Sequence, residues 1–493
     1  MPVLTVFFEG ESGKKLSLPF EGTPLIAEVL LSHGIVRLHP CGGRGICGKC
    51  AVKAEGELSE PDEHEKKAGT RLSCRTRLYG DARVTLPETE TGLQSESGKE
   101  ARTGINSPGA LMAAADIGTT TVAVHLTDES GNIAASQVTL NPQTAVAADV
   151  IGRIGAAMKD GPGLQKELIL HCLDDLFSQC AAEAKRKKEE ITQAVITGNT
   201  AMLYLLTGRD PSSLSHAPFQ ADCLFDLEET VLDIPTYLPP CFHAFAGADL
   251  MCAVLESGMT EKNGTCLLCD IGTNGEIALW RDKRLYVTST AAGPAFEGAG
   301  ISCGMHSVTG AIDSVTLMGN RLLCRVIGGG EARGLCGSGL IDAVSALLET
   351  GGIDETGYME EESIPLTGSV SLLKADIRAV QLAKAAIYAG ILSLLKAARC
   401  NTEDVETLYL AGGFGSRLNI LSAARIGLIP EAFANKVKVL GNAALSGADR
   451  MLKEENRQTA RRILANSVRV DLGGDPLFNE LYIESMLFSS QEE

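Results

Sequence analysis

The chain has 493 residues, more than one hydrophobic core organises, so two or three domains are expected. Its 44% hydrophobic and 22% charged content is that of a globular protein, and a net charge of −18 argues against nucleic acid, whose phosphates demand a basic surface. No run of about 18 apolar residues and no basic leader segment stand out, so neither a membrane span nor a signal peptide is expected. With 15 cysteines, that places the chain in the cytoplasm, its thiols reduced or metal-bound.

The charge is uneven. Residues 1–87 carry 12 basic and 11 acidic side chains, the remainder 32 and 51. V-L-T-V-F-F-E from Val3 reads as a strand, followed by a turn at Glu11-Ser12-Gly13 and a second strand, K-L-S-L-P-F. P-L-I-A-E-V-L-L-S-H-G has a helical apolar period ending on Gly34. Then comes H-P-C-G-G-R-G-I-C-G-K-C, with Cys41, Cys47 and Cys50, then A-V-K-A-E-G as a short strand, and Cys74 in R-L-S-C-R just before another strand, D-A-R-V-T-L. The spacing C-x5-C-x2-C plus a distant fourth cysteine suits a 2Fe-2S cluster. A zinc site would use two C-x2–4-C pairs, and only Cys47 and Cys50 form one. Gly42, Gly43, Gly45 and Gly48 let the loop wrap closely and aim N–H groups at sulfur. The order of hairpin, helix, cysteine loop and strands resembles the β-grasp ferredoxin fold over residues 1–87.

Residues 88–110 are rich in Ser, Thr, Glu and Gly, the composition of a flexible connector. Beyond it, residues 111–493 contain three phosphate-type turns. A-A-A-D-I-G-T-T-T-V-A-V-H-L and C-L-L-C-D-I-G-T-N-G-E-I-A-L-W each place an Asp at a strand end before a tight turn. Gly118, Thr119 and Thr120 in the first, and Gly272, Thr273 and Asn274 in the second, offer N–H and hydroxyl donors to phosphate. Asp116 and Asp270 are candidates to hold Mg²⁺, directly or through water. In the third, L-Y-L-A-G-G-F-G-S-R, Gly412, Gly413, Phe414 and Gly415 permit close approach of a flat adenine or its α-phosphate. Helices are expected over 336–350 and, with an Asp start, over 376–399.

Asp249, in G-A-D, is the candidate for orienting a water or Mg²⁺, with Glu276 its rival. Cys266 and Cys269 are three apart on a strand, so they face opposite sides and pack rather than ligate. Cys303 and Cys336 are read as packing residues. His125, His243 and His306 lack metal spacing and read as surface or satisfied residues. The K-R-K-K-E-E run at 185–190 reads as a solvated helix face.

Two D-I-G-T turns about 150 residues apart, followed by G-G-F-G, resemble the acetate kinase, sugar kinase, Hsp70 and actin superfamily, whose duplicated halves (here roughly 111–265 and 266–493) clamp ATP between two hairpins. The expected class is thus a multidomain α+β and α/β chain: ferredoxin domain, linker and actin-like ATPase fold. The combination, with blocks such as I-T-G-N-T-A-M, A-F-A-G-A-D-L, A-A-G-P-A-F-E-G-A-G-I-S-C-G-M, G-L-C-G-S-G-L-I-D-A and L-G-N-A-A-L-S-G-A, resembles the reductive activators of corrinoid-dependent enzymes.

That resemblance implies ATP-dependent transfer of one electron from the 2Fe-2S cluster to a corrinoid protein of a methyltransferase system, returning inactive Co(II) to Co(I). It also implies an upstream low-potential electron donor; a homodimer is a further candidate assembly. The alternatives are a small-molecule kinase or a redox sensor carrying a ferredoxin domain. Larger members of the family carry a small extra domain before the first D-I-G-T-T-T, which arrives here directly after the linker. Other members carry a C-terminal 4Fe-4S pair, for which the final residues of this chain hold no cysteine.

Overall fold

A computed structural model describes residues 1–9, 15–33, 35, 45, 48, 50–86, 109–319, 321–413 and 417–488. Cys41, Cys47, Phe414, Gly415 and nearly all of the expected connector lie outside them.

The N-terminal unit is built on β1 (Val3–Phe8), β2 (Lys15–Pro19), α1 (Ile26–Ser32), β3 (Ala51–Leu58), α2 (Glu63–Ala68), β4 (Arg71–Leu72) and β5 (Leu78–Leu86). Its sheet order is β2-β1-β5-β3-β4, with β1 and β5 parallel at the centre and the other pairs antiparallel. β5 alternates strictly between buried and exposed residues over most of its length, so one face packs on α1 and the other meets solvent. Leu4, Val6, Ile26, Leu30, Leu78 and Val84 form that small core. The Glu28 carboxylate accepts from the Leu25 N–H at 2.7 Å and fixes the start of α1.

The second unit comprises β6 (Leu111–Ile117), β7 (Thr121–Asp128), β8 (Ile133–Leu140), α3 (Val150–Asp160), α4 (Gly163–Glu183), β9 (Ile191–Gly198), α5 (Thr200–Thr207), β10 (Leu227–Val231), β11 (Ile234–Leu238) and α6 (Ala248–Ser257). The third comprises β12 (Thr265–Ile271), β13 (Gly275–Arg281), β14 (Arg284–Thr290), β15 (Ala311–Met318), β16 (Arg321–Val326), β17 (Gly334–Leu335), α7 (Gly337–Thr350), β18 (Ser363–Thr367), β19 (Val370–Leu373), α8 (Lys374–Ala397), β20 (Val405–Ala411), α9 (Ile420–Arg425), β21 (Val437–Gly441), α10 (Ala443–Met451), α11 (Glu454–Ala465), β22 (Ser467–Arg469) and α12 (Pro476–Glu484).

The duplication is visible in the sheets. One runs β8-β7-β6-β9-β11 and the other β14-β13-β12-β20-β21, each a three-stranded antiparallel meander continued by two parallel strands. β10 and β22 extend opposite ends of the two. Between the halves, α6 and α10 join residues of both sheets in one apolar core that includes Ala114, Val195, Leu250, Leu268, Ala278 and Leu445.

α7 begins at Gly337 rather than 336, and α8 begins at Lys374, two residues before the expected Asp start. Asp376 instead lies inside the first turn, where its carboxylate accepts from Leu373 N–H at 2.9 Å and from Ser302 N–H at 2.7 Å. α8 is long and apolar enough to cross a membrane, but 72% of its apolar window is buried inside the protein as core. The 185–190 run is not a helix face. α4 stops at Glu183, Lys185 takes a left-handed backbone (φ 57°), and a short 3-10 turn at Lys188–Glu190 leads into β9. The charges there are solvated as expected, with Arg186 paired to Glu190 at 2.7 Å.

Candidate functional site

In the N-terminal unit, Cys50 enters β3 and Cys74 lies in the turn after β4, both buried. Their Sγ atoms are 3.3 Å apart. A disulfide needs about 2.05 Å, whereas metal–sulfur bonds of about 2.3 Å hold two thiolates of a tetrahedral metal roughly 3.8 Å apart. The pair therefore fits two sulfurs on one iron. Gly45 and Gly48, on the same loop, have φ of 75° and 67°, a region that L side chains avoid. The turn carrying Cys74 is held from beneath by buried Glu65, which accepts from Leu72 N–H at 2.7 Å and from Thr76 Oγ1 at 3.2 Å.

The second site is a cavity of about 290 Å³ between the duplicated halves. Strand ends and helix starts converge on it. Asp116 and Asp270 are the penultimate residues of β6 and β12, each strand followed by a tight turn (118–120 and 272–274). Gly412 follows β20 with φ 90°; a Cβ there would stand 2.7 Å from Asp270 Oδ1, so only glycine lets this strand end approach the carboxylate. Asp249 sits in the first turn of α6 and accepts from Leu250 N–H at 2.8 Å. Thus Asp116, Gly118, Thr119, Thr120, Asp249, Asp270, Gly272, Thr273, Asn274, Gly412 and Gly413 all line one cavity.

The cleft mixes two opposite fields. The N-termini of α5, α6, α7 and α10 reach it through Asn199, Asp249, Gly337 and Asn442, presenting positive dipole ends that favour anions. Against them stand the carboxylates of Asp116, Asp249, Asp270, Glu276 and Glu297. Burial, then Asp249 and Asp270, push Asp116 up to about 8, opposed by an amide hydrogen bond from Asn442 at 3.2 Å. Burial, Asp249 and Glu297 push Asp270 up to about 7. Burial raises Asp249 to about 6 against backbone N–H donors, and Glu276 is raised well above the usual range by burial and the neighbouring Asp249 and Asp270. Such a set demands either protons or a cation.

Several residues of this site carry no local sequence signal. Asn199 and Asn442 cap α5 and α10 with their carbonyl oxygens and extend their amides to Glu276 (3.5 Å) and Asp116. Glu297 accepts from Thr120 Oγ1 of one hairpin and from Thr273 Oγ1 of the other, the latter at 3.0 Å. Arg153 is fully buried behind the first hairpin, donating to Thr119 O at 2.5 Å, Ala147 O at 3.0 Å and Gln143 Oε1 at 3.3 Å; burial lowers its pKa to about 9. Arg417, beside an Asp313 carboxylate at 3.5 Å, lines the same cavity.

Cys266 and Cys269 do face opposite sides of β12, one in the core between the halves and the other in the core of the third unit. Cys336 is buried at the start of α7 and also lines the cleft, while Cys303 donates to Ser371 O. His125 is not a surface residue: it is buried and paired through Nδ1 with Asp449 at 2.6 Å, and its Nε2 has no partner.

A β-grasp unit with thiolates at cluster spacing, joined to a duplicated fold with two phosphate-type hairpins, defines a class: a 2Fe-2S ferredoxin domain fused to an ATPase domain of the acetate kinase, sugar kinase, Hsp70 and actin type. Residues 10–79 match the 2Fe-2S iron-sulfur cluster binding domain, 111–262 the RACo middle region, and 264–493 the C-terminal ASKHA domain of RACo. The corrinoid activation enzyme RamQ of Eubacterium limosum is 33% identical over 414 residues, spanning 76% of this chain and 69% of that one. The [Co(II) methylated amine-specific corrinoid protein] reductase of Methanosarcina barkeri is 25% identical over 388 residues, 70% of each. A solved reductive activator for a corrinoid, iron-sulfur protein superposes over 98% of both chains with a TM-score of 0.71 at 25% identity. The chain belongs to this family of reductive activators of corrinoid proteins.

Proposed function

We propose that the protein reactivates a corrinoid protein of a methyltransferase system, using ATP to drive one electron onto Co(II) and form Co(I). The observation that carries this reading is the joining, in one chain of this family, of a buried thiolate pair at cluster spacing with an ATPase-type cleft. The 2Fe-2S cluster, when bound, supplies one electron at a time. Cys50 and Cys74 hold one of its irons, and Cys41 and Cys47 are assigned to the other. An upstream low-potential donor returns the electron, so that each Co(II) reduced consumes one. The setting is the cytoplasm, and no disulfide joins the described cysteines.

In the cleft, the turns at 118–120 and 272–274 bind the phosphates, and Gly412 and Gly413 let the backbone come close to the adenine or its α-phosphate. A triphosphate is repelled by five carboxylates unless a divalent cation accompanies it. Mg²⁺ takes one or two carboxylates together with phosphate oxygens and water, and Asp116 and Asp270 are placed at the two strand ends to supply them. Asp249, at the start of α6, orients the water or cation.

The test mixes protein, a strong reductant, a Co(II) corrinoid protein and ATP, and follows the Co(I) absorption band. The band is expected only with ATP. Cys74→Ser removes the band and the cluster spectrum while nucleotide still binds; Asp270→Ala keeps the cluster spectrum and loses the ATP response. A band of equal size without ATP, or none from any corrinoid partner, refutes the reading.

A further inference from the structure

Glu297 is the one carboxylate among the described residues whose two oxygens are hydrogen-bonded to both phosphate-type hairpins. Oε2 accepts from Thr120 and Oε1 from Thr273. A carboxylate is an anion with acceptor oxygens only, as a phosphate is. It rests against the hydroxyls that a nucleotide's phosphates would claim, and it comes within 3.4 Å of where a Cβ would stand on Gly272.

The surroundings let this side chain leave while its backbone stays. Ala295 and Phe296, just before it, are buried in the core of the third unit, so the segment is anchored. Glu297 itself is half-buried and lines the cavity. Gly293 and Gly298, with φ of 79° and 81°, flank the short 3-10 turn at Pro294–Glu297.

We propose that Glu297 is an internal stand-in for nucleotide phosphate, tying Thr120 to Thr273 when no nucleotide is bound and yielding those hydroxyls to the phosphates of an incoming nucleoside triphosphate. It is a positioning residue that sets affinity for the phosphate chain. The inference rests on the nucleotide reading given above.

The experiment measures equilibrium binding of a non-hydrolysable ATP analogue with Mg²⁺, of inorganic tripolyphosphate with Mg²⁺, and of AMP, to the full-length cluster-loaded protein. Wild type, Glu297→Ala and Glu297→Gln are compared, with melting temperature and cluster absorption reporting on folding. Removing a competing anion is expected to tighten the analogue and tripolyphosphate about tenfold in Glu297→Ala, by less in Glu297→Gln, and to leave AMP unchanged; tenfold is about 1.4 kcal/mol. A damaged site weakens binding, so the sign separates this role from a merely structural one. Unchanged or weaker analogue binding in a folded Glu297→Ala overturns the proposal, and weakening confined to Mg²⁺ complexes assigns Glu297 to the cation instead. If neither wild type nor variants bind any nucleotide, the nucleotide reading itself fails.

Discussion

Replacing Asp116 with Asn should stabilise the nucleotide-free protein at neutral pH while removing its response to Mg²⁺ nucleotide. Asn keeps the size of the side chain and a carbonyl oxygen for the Asn442 amide, now 3.2 Å from Asp116 Oδ2, but carries no charge. In the folded, empty cleft Asp116 is pushed up to about 8 from its ordinary 3.8. Between those two values the folded state binds a proton that the unfolded state does not, so stability is lost as pH rises through that window and levels off above about 8. At pH 7 the separation from 3.8, at about 1.4 kcal/mol per unit, makes the aspartate cost about 4 kcal/mol. The Asn variant is spared this cost. Its advantage should be near zero at pH 4, grow with pH, and reach several degrees in melting temperature by pH 7. Asp270 and Asp249, pushed up to about 7 and about 6, remain in both proteins, and because they repel the Asp116 carboxylate its loss eases their ionisation as well, which adds to the variant's advantage as pH rises. Mg²⁺ with a non-hydrolysable ATP analogue should reverse the order, stabilising wild type more at pH 8 than at pH 6 and the variant hardly at all. Thermal melts of both proteins across pH 5 to 8.5, with and without that ligand, check this. Two melting curves that coincide at pH 8 without ligand, or a wild type that gains on the variant as pH rises, would refute the reasoning.

Two further substitutions probe what holds the cleft. Arg153→Met keeps apolar bulk but leaves the Thr119 and Ala147 carbonyls without their guanidinium donors; the expected loss is about 2–4 kcal/mol, with weaker binding of the ATP analogue, and an unchanged melting curve would show that the guanidinium does not hold the turn. Gly447→Ala places a methyl 2.0 Å from the Cys252 carbonyl oxygen, forcing α10 off α6 at about 1–3 kcal/mol or more, whereas Gly155→Ala on α3, with nothing within 4 Å, should be neutral or gain up to about 1 kcal/mol by helix propensity.

What the sequence displays is what the backbone decides locally. The two D-I-G-T turns are legible because a strand, an Asp and a tight turn are consecutive, and their 3-2-1-4-5 strand orders follow from equivalent elements met twice in order. The cysteine spacing is legible for the same reason. Residues whose role depends on distant partners are not. Arg153, the fourth residue of α3, carries no mark of its role in the sequence, and only the fold turns it toward Thr119. His125 meets Asp449 across 324 positions, and Glu297 meets Thr120 across 177; no periodicity announces either pairing. The charged run at 185–190 failed as a helix because Lys185 leaves the helical region, a choice its composition does not reveal.

The contacts that span the cleft fall into two chemical kinds, and the difference bears on how a nucleotide could act at a distance. Deep between the sheets the halves are joined by α6 and α10, packed so closely that Gly447 lies against the Cys252 backbone. That seam is largely apolar, is crossed by the His125–Asp449 pair and by the Arg450 guanidinium on the Leu255 carbonyl, and resists change as any close-packed interior does. At the cavity the joints between the halves, among the described residues, are hydrogen bonds to carboxylates: Asn442 to Asp116, Asn199 to Glu276, and Thr120 to Glu297, which also holds Thr273. These are bonds that a phosphate chain and a cation can replace one for one. If nucleotide binds as proposed, its arrival should rearrange the two hairpin turns about this seam, and α3 through Arg153 and α10 through Asn442, which hold those turns from behind, are the elements expected to move first.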